Sequence, residues 1–206
     1  MRLGQDFFDR DTREVARDLL GKYLIRTVDG VPLAVRLCET EAYIGRMDKA
    51  CHAYAYRRTQ RTETLFAPPG TVYIYLIYGM HHCLNFVTER EGEPSAVLIR
   101  GGEVRGDGEL LSRLRYGKGL SDLTPYQRKN FLNGPGKLCK ALNLTRRENG
   151  MTLFGDELFV CTDLRDAGLP PVPEDASPFR ICAGKRIGID YAEEAVHFPW
   201  RYWYEP

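Results

Sequence analysis

The chain has 206 residues, 43% hydrophobic and 11% aromatic, which is enough for one compact domain with a real core and leaves little room for two. A formal net charge of +1 and a pI near 7.6 give no global field to hold a polyanion, so any nucleic-acid contact must come from local patches. No apolar run approaches membrane-spanning length and no leader pattern opens the chain, while six cysteines without a CxxC pair read as small core hydrophobes of a reducing, cytosolic compartment.

Asp11 or Thr12 caps a short amphipathic helix running to Leu20, and Gly21 ends it. Residues 22–28 and 33–43 read as strands joined by Asp29-Gly30, a strong hairpin pair. The odd positions of the second strand run Leu33, Val35, Leu37, Glu39, Glu41, Tyr43, so an apolar face turns acidic in an unbroken register. Carboxylates on a core face need a reason, because an unpaired buried charge is costly. Either the strand leaves the core at Glu39, or its end carries a general base.

Residues 44–69 lose all periodicity, and a structureless loop of about 25 residues in a compact domain is functional or disordered. Tyr54, Tyr56 and Phe66 argue against disorder. Arg57, Arg58 and Arg61 interleave with Thr59, Gln60 and Thr62, a mixture that suits phosphate contacts or simply a solvated loop. His52 is either a structural histidine or a site residue.

A tyrosine-rich strand follows, with Tyr73, Tyr75 and Ile77 on one face and Val72, Ile74, Leu76 and Tyr78 on the other. Gly79 breaks it, and the next apolar run begins at Cys83, so the two form a hairpin whose tip presents Tyr78 and Met80. Residues 95–100 complete an antiparallel meander of three. Ala96, Leu98 and Arg100 share a face there, which lets Arg100 meet Glu41 and keep that carboxylate ionised by depressing its pKa.

Residues 109–116 and 124–132 are helical by spacing, the second with Thr124 at its N-cap and Pro125 after it. Gly134 and Pro135 open a third helix, whose free amides beside Lys137 make an anion site or a plain helix start. Short strands are expected at 157–162 and 185–189 around a proline-rich loop, and the aromatic end packs on the body. His81, His82 and Cys83 alternate between faces with no second ligand cluster, so no metal is expected. The fold class is α+β, one domain over 1–206, with a curved, mainly antiparallel sheet flanked by short helices.

Four blocks in order, ETEAYIG at 39–45 with His52 after it, PGTVYIYLIYGMHHCLN at 69–85, AVLIRGGE at 96–103 and NGPGKLCKAL at 133–142, resemble the alkyladenine (3-methyladenine) DNA glycosylase family. The opening LGQDFFDRDTREVARDLLGKYL and the later KRIGID and FPWRYW extend the likeness over almost the whole chain. The resemblance implies a monofunctional glycosylase of base excision repair that flips alkylated or deaminated purines out of duplex DNA. Its implied substrates are 3-methyladenine and 7-methylguanine, with hypoxanthine and ethenoadenine as extensions.

Under that resemblance Glu41 activates the water that attacks C1′, and Arg100 and the backbone carbonyl of Ile187 help to hold it. Tyr43, His52 and Tyr75 sandwich the base, and Asn85 borders the pocket and disfavours the 2-amino group of guanine. Tyr78, with Met80 beside it, wedges into the duplex. Arg57, Thr59, Arg61, Gly136 and Lys137 contact phosphates. No matching lysine suggests a Schiff base, so no lyase step, cofactor or metal is expected, and the implied partner is damaged double-stranded DNA, met by a monomer away from membranes. Two other readings compete: a damage-binding module that flips bases without hydrolysing them, and an unrelated hydrolase using Glu39 and Glu41 on a small nucleoside.

Overall fold

The computed structural model describes residues 1–205. Strands β1 (Tyr23–Val28) and β2 (Val31–Ile44) meet across Asp29 and Gly30, whose φ angles of 49° and 80° give the left-handed pair that a two-residue hairpin requires. Strands β3 (Val72–Ile77), β4 (His81–Thr88) and β5 (Ser95–Val104) form the expected meander, and β6 (Leu158–Cys161) adds to the far side of β1. The result is a curved antiparallel sheet in the order β3-β4-β5-β2-β1-β6. It is flanked by α1 (Gln5–Phe8), α2 (Thr12–Asp18), α3 (Gly108–Tyr116), α4 (Pro125–Lys129) and α5 (Pro135–Ala141). Thr124 caps α4 in a reciprocal box with Gln127, but the helix stops at Lys129 rather than at 132. No helix among the described residues is long and apolar enough to cross a membrane.

The long strand β2 does not keep one register. Leu37 pairs with Gly102, Glu39 with Gly101 and Thr40 with Ile99, so Cys38 and Arg100 each stand without a partner across the ladder. This bulge exchanges the two faces of the strand. Before it the odd residues Leu33, Val35 and Leu37 fill the main core; after it Ala42 and Ile44 do, with Thr40 donating to Ala16 O at 2.7 Å. The expected unbroken alternation is therefore corrected: each of the two strands carries one unpaired residue, the ladder resumes in the same register, and Glu39, Glu41 and Tyr43 come onto the opposite face, so no acidic residue of β2 sits in the apolar layer.

The bulge also marks a change of neighbour. Pairing of β2 with β1 ends at Arg36, and β8 (Arg201–Glu205) takes over that edge at Glu39–Glu41, with β7 (Arg180–Gly184) beyond it. The strand expected at 185–189 is not one. β7 lies five residues earlier, and residues 185–189 instead cross the end of β2, with Gly188 left-handed at φ 74°. Their alternating isoleucines imitate a strand, yet Ile189 is buried and Ile187 is half exposed.

One face of the sheet carries the main core, including Phe86, Ile99, Leu111 and Leu138. The other is covered by the long loop after β2, whose Cys51, Ala53, Leu65 and Phe66 pack on Tyr73, Val87 and Ala96, and by Ile189, Ala192 and Ala195 against Ala50. The loop is ordered by local devices. It contains two 3₁₀ turns, Tyr54–Tyr56 and Glu63–Phe66, and the Thr62 hydroxyl accepts from Thr59 N–H and donates to Arg57 O, both at 2.9 Å. All six cysteines are free thiols and four are buried.

Because the count of residues in β2 sets which face bears Glu41, deleting Cys38 should abolish cooperative folding, whereas Cys38→Ala should cost less than about 1 kcal/mol. Urea unfolding followed by circular dichroism distinguishes the two.

Candidate active site

Glu41 is fully buried at the point where β2, β5 and the 185–189 crossing meet. Its Oε1 accepts the backbone N–H of Ile187 at 2.8 Å, and its Oε2 accepts the Tyr43 hydroxyl at 2.6 Å. Arg100 Nε lies 3.5 Å from Oε1, closer to Glu39 Oε1 at 3.1 Å, and Arg201 Nε reaches the same Glu39 oxygen at 2.9 Å. Arg100 is thus shared, and Glu39 is its main counter-ion. Burial pushes the Glu41 carboxyl above the usual range, opposed by the Arg100 charge, the Tyr43 hydroxyl and the Ile187 amide. Arg100 lowers this pKa as the sequence leads one to expect, but loss of solvent outweighs a cation shared with Glu39, so the net shift is upward. Ile187 meets the carboxylate through its backbone N–H.

In front of Glu41 lies a cavity of about 370 Å³, lined by Tyr43, His52, Tyr73, Tyr75, Asn85, Leu98, Arg100 and Ile187 among others. That volume is at the small end of ligand pockets. His52 and Tyr75 meet edge to face with centroids 4.5 Å apart, and His52 Nδ1 is 3.1 Å from the Tyr73 hydroxyl. Burial, with the Arg61 charge nearby, lowers the His52 pKa to about 4. The Asn85 amide donates to Tyr73 O and Cys83 O, both at 3.1 Å, which fixes this buried side chain as a rigid wall.

Behind Tyr43 is a second buried arrangement. The Arg186 guanidinium lies 4.6 Å from the Tyr43 ring centroid and forms a bidentate pair with Asp48, at 2.5 Å and 2.7 Å. Both side chains are completely buried.

The hairpin tip stands at the rim. Tyr78 is 83% exposed and also lines the cavity, and its backbone holds φ at 52°, a left-handed conformation that costs an aromatic residue about 1 kcal/mol. Met80 beside it is exposed too. At the rim on the loop side, Arg57, Thr59 and Arg61 are exposed, and among the described residues no carboxylate pairs with either arginine. Arg58 does pair, with Glu63 at 2.6 Å, and stacks over Phe66. Gly136 has a packing reason for its identity, since a Cβ there would lie 3.0 Å from His81 Cβ. Lys137 is tied down by Asn130 and Asn133, with Nζ 2.8 Å from Asn133 Oδ1.

The fold therefore gathers Arg100, Ile187, Tyr43, His52, Tyr75, Asn85 and Tyr78 around one cavity, with Glu41 buried behind its partners Tyr43, Arg100 and Ile187, while Met80, Arg57, Thr59 and Arg61 are exposed near it and Gly136 and Lys137 stand at the start of α5 beside His81. Tyr73 was missed, although its parity with Tyr75 was visible in the sequence. Asp48 and Arg186, 138 residues apart, left no signal.

The family model of methylpurine-DNA glycosylases (MPG) matches residues 6–206. The chain belongs to this family. Membership makes it a DNA glycosylase, a hydrolase of N-glycosyl bonds that acts on damaged DNA. It is 52% identical over 204 residues to a protein of Clostridium perfringens (strain SM101 / Type A) named "Putative 3-methyladenine DNA glycosylase", covering 98% of this chain and 95% of that one. Proteins of the same name from Alkaliphilus oremlandii and Desulfitobacterium hafniense are 47% and 43% identical, covering 98% and 99% of this chain and 95% of each relative. In the glycosylase the low pKa of His52 keeps that ring neutral throughout the physiological range. A nitrogen-detected titration of the imidazole should give a midpoint near 4 and no change between pH 6 and 9.

Proposed function

We propose that this glycosylase extrudes an alkylated or deaminated purine from duplex DNA and hydrolyses its N-glycosidic bond with a water activated by Glu41. The observation that carries the reading is a fully buried carboxyl whose three polar partners, the Tyr43 hydroxyl, the Ile187 amide and Arg100, belong to residues that line an aromatic cavity with an exposed tyrosine at its rim. Glu41 takes a proton from water, the water oxygen bonds to C1′, and the C1′–N bond breaks with its electron pair going to the base. An alkylated purine that carries positive charge leaves as a neutral molecule and needs no acid. A neutral base such as hypoxanthine must gain a proton, and a neutral His52 is a poor source of it. Cationic 3-methyladenine and 7-methylguanine are therefore the favoured substrates, with hypoxanthine and ethenoadenine slower.

The faces of Tyr43 and Tyr75 attract such cations by roughly 1–2 kcal/mol when desolvated. Asn85, pinned by two carbonyls, borders the pocket and disfavours the 2-amino group of guanine without shutting out the cationic 7-methylguanine. Tyr78 fills the gap left in the stack, supported by Met80, and offsets part of the few kcal/mol that extrusion costs. Arg57, Thr59 and Arg61, with the Gly136 and Lys137 helix start, contact phosphates and supply affinity without sequence preference. No lysine lines the cavity among the described residues, which supports a monofunctional hydrolase without a lyase step. The protein acts as a monomer and without a cofactor.

Glu41→Gln should lower single-turnover release of 7-methylguanine by about 10²–10⁴-fold while duplex binding is retained. The wild-type rate should rise with pH along an acid limb whose midpoint lies above 4.5. A carboxyl whose folded pKa is raised contributes stability below its unfolded value and loses it as pH rises through the folded one, so the melting temperature of Glu41→Gln at pH 8 should equal or exceed that of wild type. Tight binding without release by wild type would leave the damage-binding reading in its place. Tyr78→Ala should lower release from a duplex by about 10-fold and release from the same single strand much less, because the single strand has no stack to fill.

A further inference from the structure

Outside the cavity, a second charged centre lies behind Tyr43. Arg186 and Asp48 are the most deeply buried ion pair of the described residues, with no exposed side-chain surface on either partner. Taking two charges out of water is expensive, and a well-packed apolar pair would often hold the fold as well. The pair instead ties together the end of β2, the turn at residues 48–50 and the segment around Ala195. Arg186 Nη1 donates to Ala42 O at 2.8 Å, in the peptide between Glu41 and Tyr43, and Nη2 donates to Ala195 O at 3.3 Å. Asp48 accepts from the Ala50 N–H at 3.0 Å and faces the Ile44 N–H at 3.4 Å. The guanidinium is sandwiched between Tyr43 and Trp200, at 4.6 Å and 5.1 Å from their centroids.

We infer that Arg186 is a positioning residue for Glu41, which sets the basicity of that carboxylate and which Asp48 holds in check. Two connections carry the effect. Arg186 backs the ring of Tyr43, whose hydroxyl binds one oxygen of Glu41, and it directly precedes Ile187, whose N–H binds the other. Both hydrogen bonds to the carboxylate are thus registered on one guanidinium. The third connection is the field of its charge through a water-free interior, where screening is weak. In agreement, Arg186 lowers and burial raises the Glu41 pKa. The other groups facing Glu41 are Arg100 from β5, balanced by Glu39 and Arg201, the hydroxyl of Tyr75 from β3 and the thiol of Cys83 from β4.

This inference rests on the proposed role of Glu41 as the base, and the test separates the two. The carboxyl ¹³C signal of Glu41, assigned by its absence in Glu41→Gln, is titrated in wild type, Arg186→Met, Arg186→Lys and Asp48→Asn, and base release is followed over the same pH range. Loss of the cation in Arg186→Met should move the Glu41 midpoint up by at least about half a pH unit. Loss of the anion in Asp48→Asn leaves the cation unopposed and should move it down. Opposite shifts from the two halves of one pair are not a result that general loosening produces. Arg186→Lys keeps the charge without the fork, so its midpoint should stay near wild type while the plateau rate falls about 10-fold or more.

If Arg186→Met does not fold, the downward shift in Asp48→Asn alone decides. Unmoved midpoints, or shifts of the same sign in the Met and Asn variants, overturn the inference. Midpoints that move as expected while the acid limb of base release stays still would uphold it and remove Glu41 as the catalytic base.

Discussion

A carboxylate without any exposed surface gives up several kcal/mol of hydration, and the surrounding protein has to return most of that through donors aimed at its two oxygens. Glu41 has the Tyr43 hydroxyl, the Ile187 amide and a share of Arg100. They do not return all of it, and the pKa stays high. That imbalance suits a base. A carboxylate that binds its proton more firmly than a solvated one takes it more readily from water, provided the working pH keeps it ionised. Much of the architecture serves this one group: the Cys38 bulge turns it out of the apolar layer, β8 replaces β1 beside it, and the crossing at 185–189 closes over it.

How far the sequence discloses this arrangement depends on the range of each signal. The Asp29-Gly30 hairpin, the meander of β3 to β5, the exposed tip at Tyr78 and the Thr124 cap are encoded within a few residues, and the structure has all of them. The bulge is silent because Leu37-Cys38-Glu39 alternates as well as any strand, and only the pairing with β5 shows that Cys38 and Arg100 both drop out of the ladder. The true helix end at Lys129 and the non-strand at 185–189 fail for a related reason, since long-range contacts override the local pattern there. Family resemblance assembled the cavity residues that composition could not. It had nothing to say of Arg186 and Asp48, or of which end of Ile187 faces the carboxylate.

The two faces of the sheet divide the work. One is a continuous apolar layer against α2, α3 and α5. The other is polar, aromatic and partly hollow, and it stores unfavourable features: a buried ion pair, a raised carboxyl, and Tyr78 held left-handed in full solvent. Such features persist only where the rest of the fold has stability to spare.

The hydrogen bond from Ile187 to Glu41 joins residues 146 apart, and the Arg186 bridge to Asp48 spans 138. Contacts of such sequence separation form after the local hairpins, because a very large loop must close first. The β3-β4 hairpin is local, so it can pair while the carboxylate still lies open to water. In the reverse direction, a disturbance that frees the 185–205 segment would quench hydrolysis while leaving the meander paired, so catalytic competence reports the integrity of the whole chain and not of the sheet alone.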